Sequence, residues 1–181
     1  MTEWQPTGLY NELVRLEPMQ PTDFERLFQV ASDPLIWEQH PEPDRYRRDV
    51  FQKFFTNGLG SAYLILDQRT DELIGSTRYY NYDPADAAVA IGFTFLARKY
   101  WGGTYNLAIK KLMLDYAFRF VEKVYFHIGP NNTRSIRANS KLGIRYDKVV
   151  EFELYGTTAA HSQYVLFKED YLQKFGSLME N

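Results

Sequence analysis

The sequence predicts an α/β fold (α+β-like): a mixed, mainly antiparallel sheet flanked by helices, in a single domain over 1–181. Three observations point there. Residues 62–67, 72–82 and 87–96 are apolar, β-branched and aromatic runs joined by short turns, which is how an antiparallel meander reads. The third run leads through Gly102-Gly103 into a helical period, with Leu107, Lys111, Leu114 and Phe118 near i, i+4, i+7 and i+11. A strand-type run then resumes at 123–128, and after one short helical segment at 132–142 two more follow at 146–155 and 161–167.

Taken in order, residues 1–10 read as a loose lead-in, because Pro6 and Gly8 break any pattern. Residues 13–18 alternate and stop at Pro18, a short strand. Thr22 with Glu25 three residues on has capping-box spacing, and Phe24, Leu27, Phe28 and Ala31 give the following helix its apolar face. Asp33-Pro34 ends that helix. A loop over 37–43 is rich in aromatic and histidine residues, and a helix over about 44–56 carries Tyr46, Val50, Phe51, Phe54 and Phe55. Asn57-Gly58 and Gly60 turn the chain into the meander. After the long helix from about Thr104, the segment 132–142 has Asn131 or Asn132 as its cap and Gly143 as its stop. Residues 168–175 form a closing helix.

Composition narrows the classes. An apolar share of 45% suits an ordinary core, and the high aromatic share of 17% reads either as core filling, the favoured use, or as the lining of a pocket for an amine-bearing acceptor. The formal charge is −2 and no basic run occurs, so nucleic acid is not an expected partner. No apolar run approaches the roughly 20 residues that cross a bilayer, and the first ten residues lack the pattern of a secretory signal. A membrane partner is therefore not expected, and the expected location is cytoplasmic. There is no cysteine, which removes disulfides, most zinc arrangements and a cysteinyl acyl-enzyme. With three histidines at scattered positions, no metal is expected.

The strand–glycine–helix junction holds the chemistry. A helix start leaves backbone N–H groups unpaired at the positive end of the helix dipole, a ready anion site. Glycine at such a joint also has a purely steric use, so both readings stand on the local pattern. The Walker and dinucleotide glycine motifs are both absent.

Trp101-Gly102-Gly103-Thr104-Tyr105-Asn106, entered from Ile91-Gly92-Phe93 and followed by Leu114-Asp115-Tyr116-Ala117-Phe118, resembles the coenzyme A loop of the GNAT acetyltransferases. Asn132-Thr133-Arg134-Ser135, then Asn139-Ser140-Lys141-Leu142-Gly143, resembles a second block of the same family at the same separation. The likeness is to the branch that includes the ribosomal-protein N-terminal acetyltransferases, the RimJ/RimL-like enzymes. Two departures stand out. The loop usually reads Gln/Arg-x-x-Gly-x-Gly/Ala, and here Lys99 opens it and Thr104 closes it. Many relatives also carry a glutamate general base one residue ahead of the Ile-Gly pair, where this chain has Ala90.

The resemblance implies acetyl-CoA as cosubstrate, a splayed strand pair, and transfer to a small-molecule or peptide amine. It assigns Phe95, Leu96 and Ala97 to pantetheine and thioester contacts, and Gly102, Gly103, Thr104, Tyr105 and Asn106 to the pyrophosphate. Asn132 falls where the family's asparagine meets the cofactor arm, and Ser135 where a hydroxyl can protonate the leaving thiolate. Helix capping is the structural reading of both. Arg137 and Lys141 are candidates for the adenosine-end phosphates, or solvated surface charges. By analogy Trp37, Glu38, His40 and Tyr46 are candidates for the acceptor side, the other reading of this region being a solvated helix face with a few anchors. The base is open. His127 borders the gap and is either the base or a packed histidine; the alternatives are Glu151 or Glu153 acting through water, or no side chain at all, with solvent taking the proton. A homodimer is common in the family. Two function classes follow: an N-acetyltransferase acting by direct transfer, and a non-catalytic acyl-CoA sensor or partner subunit, which Ala90 keeps in play.

Overall fold

A computed structural model describes residues 4–154 and 157–178. Among them eight strands form one sheet in the order β1-β2-β3-β4-β5-β6-β8-β7. The strands are β1 (Leu9–Tyr10), β2 (Val14–Pro18), β3 (Ala62–Asp67), β4 (Leu73–Asp83), β5 (Ala88–Leu96), β6 (Lys123–Ile128), β7 (Arg145–Leu154) and β8 (Thr157–Phe167). The helices are α1 (Phe24–Ala31), α2 (Arg48–Gly58), α3 (Tyr105–Ala117), α4 (Thr133–Ser140) and α5 (Lys168–Phe175). Every strand pairing is antiparallel except β5 with β6, so the mixed, mainly antiparallel α/β sheet expected from the sequence is the observed one.

Side chains alternate across the sheet and feed two cores. Tyr63 and Ile65 of β3 join Ile109, Leu112 and Met113 of α3 and Tyr171 of α5 on one face. Leu64 and Leu66 join Leu27 of α1 and Phe51, Phe54 and Phe55 of α2 on the other. Gly75 sits where β4 meets the carbonyl of Phe95; a Cβ there would lie 2.0 Å from that oxygen, so only glycine fits.

Three local expectations are corrected. The stretch read as a loose lead-in is partly built into the sheet: Leu9 and Tyr10 pair with Leu16 and Arg15. Trp4 packs against Tyr79, Tyr82, Tyr116 and Phe120, burial that outweighs the turn residues beside it, while residues 1–3 lie outside the described ones. Helix α1 is not capped by Thr22 with Glu25. A 3-10 turn, Pro21–Asp23, precedes it, and the Asp23 carboxylate accepts the Gln20 N–H at 2.8 Å. Glu25 instead pairs with Arg48 of α2. On α3 the side chain carried inward is Lys110 rather than Lys111. Of the strand expected over 146–155, residue 155 lies outside the described residues.

Candidate active site

The site begins where two strands part. β5 and β6 pair only through Ala88↔Lys123, Val89↔Val124 and Ala90↔Tyr125. Beyond Ala90, β5 continues on β4 as far as Leu96, while β6 continues on β8 as far as Ile128. The divergence coincides with a bulge: Phe93 has φ +52° and the β4–β5 register shifts between Ser76 and Arg78. Strand edges left unpaired inside a fold present backbone N–H and C=O groups to whatever enters the gap. The result is a cleft of about 660 Å³.

Most of the residues singled out in the sequence meet along it. Phe95, Leu96, Gly102, Gly103, Asn106, His127, Asn132, Ser135, Arg137 and Lys141 all line the cleft. Three do not. The Ala97 N–H donates to the Ile74 carbonyl at 2.8 Å and is spent in the sheet. Thr104 is exposed, and the Tyr105 hydroxyl donates to Asp67, so Tyr105 offers the cleft no more than its backbone. Gly102 adopts φ +71°, the left-handed region, and a Cβ on either Gly102 or Gly103 meets nothing within 4 Å. The loop therefore opens onto free space at the start of α3, where unpaired N–H groups and the helix dipole favour an anion.

On the other side, Asn132 Oδ1 accepts the Ser135 N–H at 3.0 Å, so Asn132 caps α4 from within the cleft wall. Asn139 holds Ser135 through its amide nitrogen, 2.9 Å to the carbonyl and 3.3 Å to Oγ. Its Oδ1 is buried on the same wall without a partner among the described residues, an acceptor waiting for a donor.

Charge in the cleft has one sign. Arg45, Lys110, Arg134, Arg137 and Lys141 line it, and no aspartate or glutamate does. Arg134 stacks 4.0 Å over Trp101 and donates to Glu38 and the Ile36 carbonyl. Arg45 is buried against Trp37, Phe54 and Phe93 and pairs with Glu42. Lys110 is the unexpected member. It is 2% exposed, its Nζ donates to Thr94 Oγ1 at 2.6 Å, and burial alone pulls its pKa down to about 7. Its signal was in the sequence, since Leu107, Lys110 and Leu114 share one helix face at i, i+3 and i+7.

All three histidines come to this cleft, although they are far apart in the chain. Asp147 accepts the Gln163 amide N–H at 2.7 Å, which turns Gln163 Oε1 toward His127 Nε2 at 2.8 Å. Nε2 therefore carries the proton, and Nδ1 accepts the Tyr80 hydroxyl at 2.7 Å. Burial lowers the His127 pKa, and both nitrogens are occupied. His40 is also occupied: Nδ1 accepts the Glu42 N–H, Nε2 lies 3.1 Å from Arg45 Nη1, and burial with the Arg45 charge holds its pKa well down. His161, which sequence reading passed over, has only Nδ1 hydrogen-bonded among the described residues, 3.1 Å from the Ala159 carbonyl.

The acceptor-side candidates divide. Trp37 and His40 line the cleft, Glu38 is held by Arg134, and Tyr46 is exposed outside the wall. Gly129 allows Pro41 to pack on the end of β6; a Cβ there would come within 2.6 Å of the proline ring. Glu151 and Glu153 are exposed on β7 and face away from the cleft, because the period of the strand gives the inward position to Phe152. Among the described residues no group of three His, Asp or Glu side chains is placed to hold a metal ion, and no helix is long and apolar enough to cross a membrane.

Comparison with known proteins agrees with this geometry. The acetyltransferase (GNAT) domain model matches residues 14–145. The Bacillus subtilis protein YkkB, itself uncharacterised, is 29% identical over 153 residues, covering 80% of this chain and 88% of its own. The uncharacterised N-acetyltransferase p20 of Bacillus licheniformis is 29% identical over 147 residues, 76% of this chain and 82% of its own. The crystal structure of a GNAT-family acetyltransferase from Bacillus anthracis superposes with a TM-score of 0.71 at 18% identity, over 89% of this chain and 98% of that one. The chain belongs to the GNAT acetyltransferase family and is an acetyl-CoA-dependent acetyltransferase.

Proposed function

We propose that the protein moves acetyl from acetyl-CoA directly to a primary amine, with both substrates bound in the one cleft. The observation that carries this reading is the parting of β5 and β6 after Ala90, in line with the open glycine loop at the start of α3. The residues present fit the cosubstrate. Gly102, Gly103 and the N–H groups at the start of α3 suit the pyrophosphate, Arg137 and Lys141 suit the adenosine-end phosphates, and the orphan Asn139 Oδ1 suits an amide N–H of the arm. When bound, acetyl-CoA supplies a thioester whose carbonyl carbon the amine attacks. With no cysteine in the chain, and with Ser135 held by Asn139 rather than by a base, direct transfer is favoured over an acyl-enzyme. Ser135 remains positioned to give a proton to the leaving sulfur.

The acceptor side suits an amine on an uncharged or anionic body, such as a peptide N-terminus or a small amine, rather than a polycation. Glu42 balances Arg45, but the cleft lining as a whole carries further cations, Lys110, Arg137 and Lys141, and no carboxylate, which disfavours added positive charge and favours the neutral, nucleophilic form of the amine. The N-terminus of a ribosomal protein, the acceptor of the branch that the motifs resemble, belongs to this class.

A thermal melt with and without acetyl-CoA tests the cosubstrate assignment. At about one hundred times its dissociation constant, a ligand adds roughly 2.7 kcal/mol, or several degrees in a domain of this size. Gly102→Glu with Gly103→Glu is expected to remove that shift. A folded parent that shows no shift would end the reading.

A further inference from the structure

We propose that His161 is the general base that takes a proton from the acceptor amine, with Nε2 as the accepting atom. The proposal rests on the direct-transfer reading above. It stands on a difference among three histidines that share one cleft. His127 and His40 have both ring nitrogens engaged, the first by Gln163 and Tyr80, the second by the Glu42 N–H and Arg45. His161 donates Nδ1–H to the backbone carbonyl of Ala159, and no partner for Nε2 occurs among the described residues. A backbone carbonyl on one nitrogen fixes the tautomer and leaves the other as a directed lone pair, which is the state that a base requires.

Its place in the sheet suits the role. His161 pairs with Val150 on β7, one residue past the Ile128↔Ser162 pair that ends the β6 contact. It therefore stands at the mouth of the gap, on the same face as Gln163 and His127. The titratable groups that interact with it are His127 from β6 and His40 from the turn before α2, and beyond His40 stands Arg45 with its Glu42 partner. Lys110, the other proton-active group in the cleft, lies on the opposite face: its nitrogen is 2.6 Å from Thr94 Oγ1 and 5.9 Å from the Phe126 ring centre, within the α3 core.

The step balances simply. The amine nitrogen forms the C–N bond and gives one proton to Nε2. The C–S bond breaks with its electron pair on sulfur, the thiolate takes up a proton, and the imidazolium returns its own to solvent.

The test has two arms. Nitrogen-15 spectra of the imidazoles need no acceptor, and three histidines give a resolved set. The expected result is His161 in the Nδ1–H form with an Nε2 signal that moves with pH, and His127 in the Nε2–H form. A His161 with its proton on Nε2 overturns the proposal. The second arm follows thiol release from acetyl-CoA against pH, with glycinamide, a Ser-Ala amide, glucosamine and spermidine as amines. His161→Gln is expected to lose about 100-fold in kcat, together with the rise of rate with pH, while keeping the acetyl-CoA melting shift. Added imidazole is expected to restore rate to His161→Ala. An active parent whose His161→Gln variant retains rate and profile overturns the base alone. A parent that melts higher with acetyl-CoA yet releases no thiol with any amine overturns direct transfer and the base together.

Discussion

The glycine-loop end of the cleft comes from one short stretch, with Gly102, Gly103 and Asn106 on its lining, whereas the opposite end draws Trp37, Arg45, Phe93, His127 and His161 from segments that meet only in the folded sheet. The first end is open and locally determined: a left-handed glycine, a neighbour without a side chain, and a helix start. The second is closed by hydrogen bonds between distant residues, from Asp147 through Gln163 and His127 to Tyr80. A local site tolerates change around it as long as its backbone turns correctly. An assembled site depends on every register that brings its members together.

Glycines separate the two kinds of construction most sharply. Gly75→Ala is expected to have the largest effect, because the added Cβ would overlap the Phe95 carbonyl that lies beneath the gap. A destabilisation on the order of 3 kcal/mol or more, read as a drop in the denaturant midpoint, is expected from an overlap that only backbone movement can relieve. An unchanged midpoint would mean that β4 and β5 are not in the register described.

Lys110→Met is expected to move stability the other way. The folded-state pKa of Lys110 is about 7, below the ordinary lysine value, so below pH 7 both states hold the proton and the folded state carries a buried, uncompensated charge. As pH rises from about 7 to about 10, the unfolded chain binds more protons than the folded one, and stability rises. The methionine variant should lose that rise and melt higher at pH 6, by a stabilisation on the order of 2 kcal/mol, or about 4–8 °C. Melts across this range check both signs.

Gly129→Ala probes the acceptor end alone. Its Cβ would press on Pro41 and shift the turn that carries Trp37 and His40. The expected outcome is a raised KM for the amine with an unchanged acetyl-CoA melting shift; equal changes in both would show that the two ends are not separable. Gly103→Ala should be the mildest, within about 0.5 kcal/mol of the parent in stability, since its side chain meets open space. Its effect belongs to acetyl-CoA affinity, read by titration.

How much of this was legible follows the same division. The meander, the glycine loop, the α4 cap at Asn132 and the closing helix were readable because each is set by neighbours a few residues apart. Trp4 and Leu9 were misread for the opposite reason. Pro6 and Gly8 look like disorder locally, yet an aromatic cluster and a β2 edge supply the burial that orders them. Lys110 was within reach, since the helix period places it with Leu107 and Leu114, but a lysine is not expected where an apolar side chain belongs.

The amino-acid sequence by itself determined the order of elements, the glycine loop and the family, because turns, caps and periodicity act over distances of two to four residues. Only the tertiary structure decided where β5 leaves β6, which lysine goes inward, and which of three histidines has one ring nitrogen without a partner among the described residues. Those outcomes depend on strand register and on hydrogen-bond partners tens of residues away. Such partners are chosen by the packing of the whole sheet, not by any stretch of the chain.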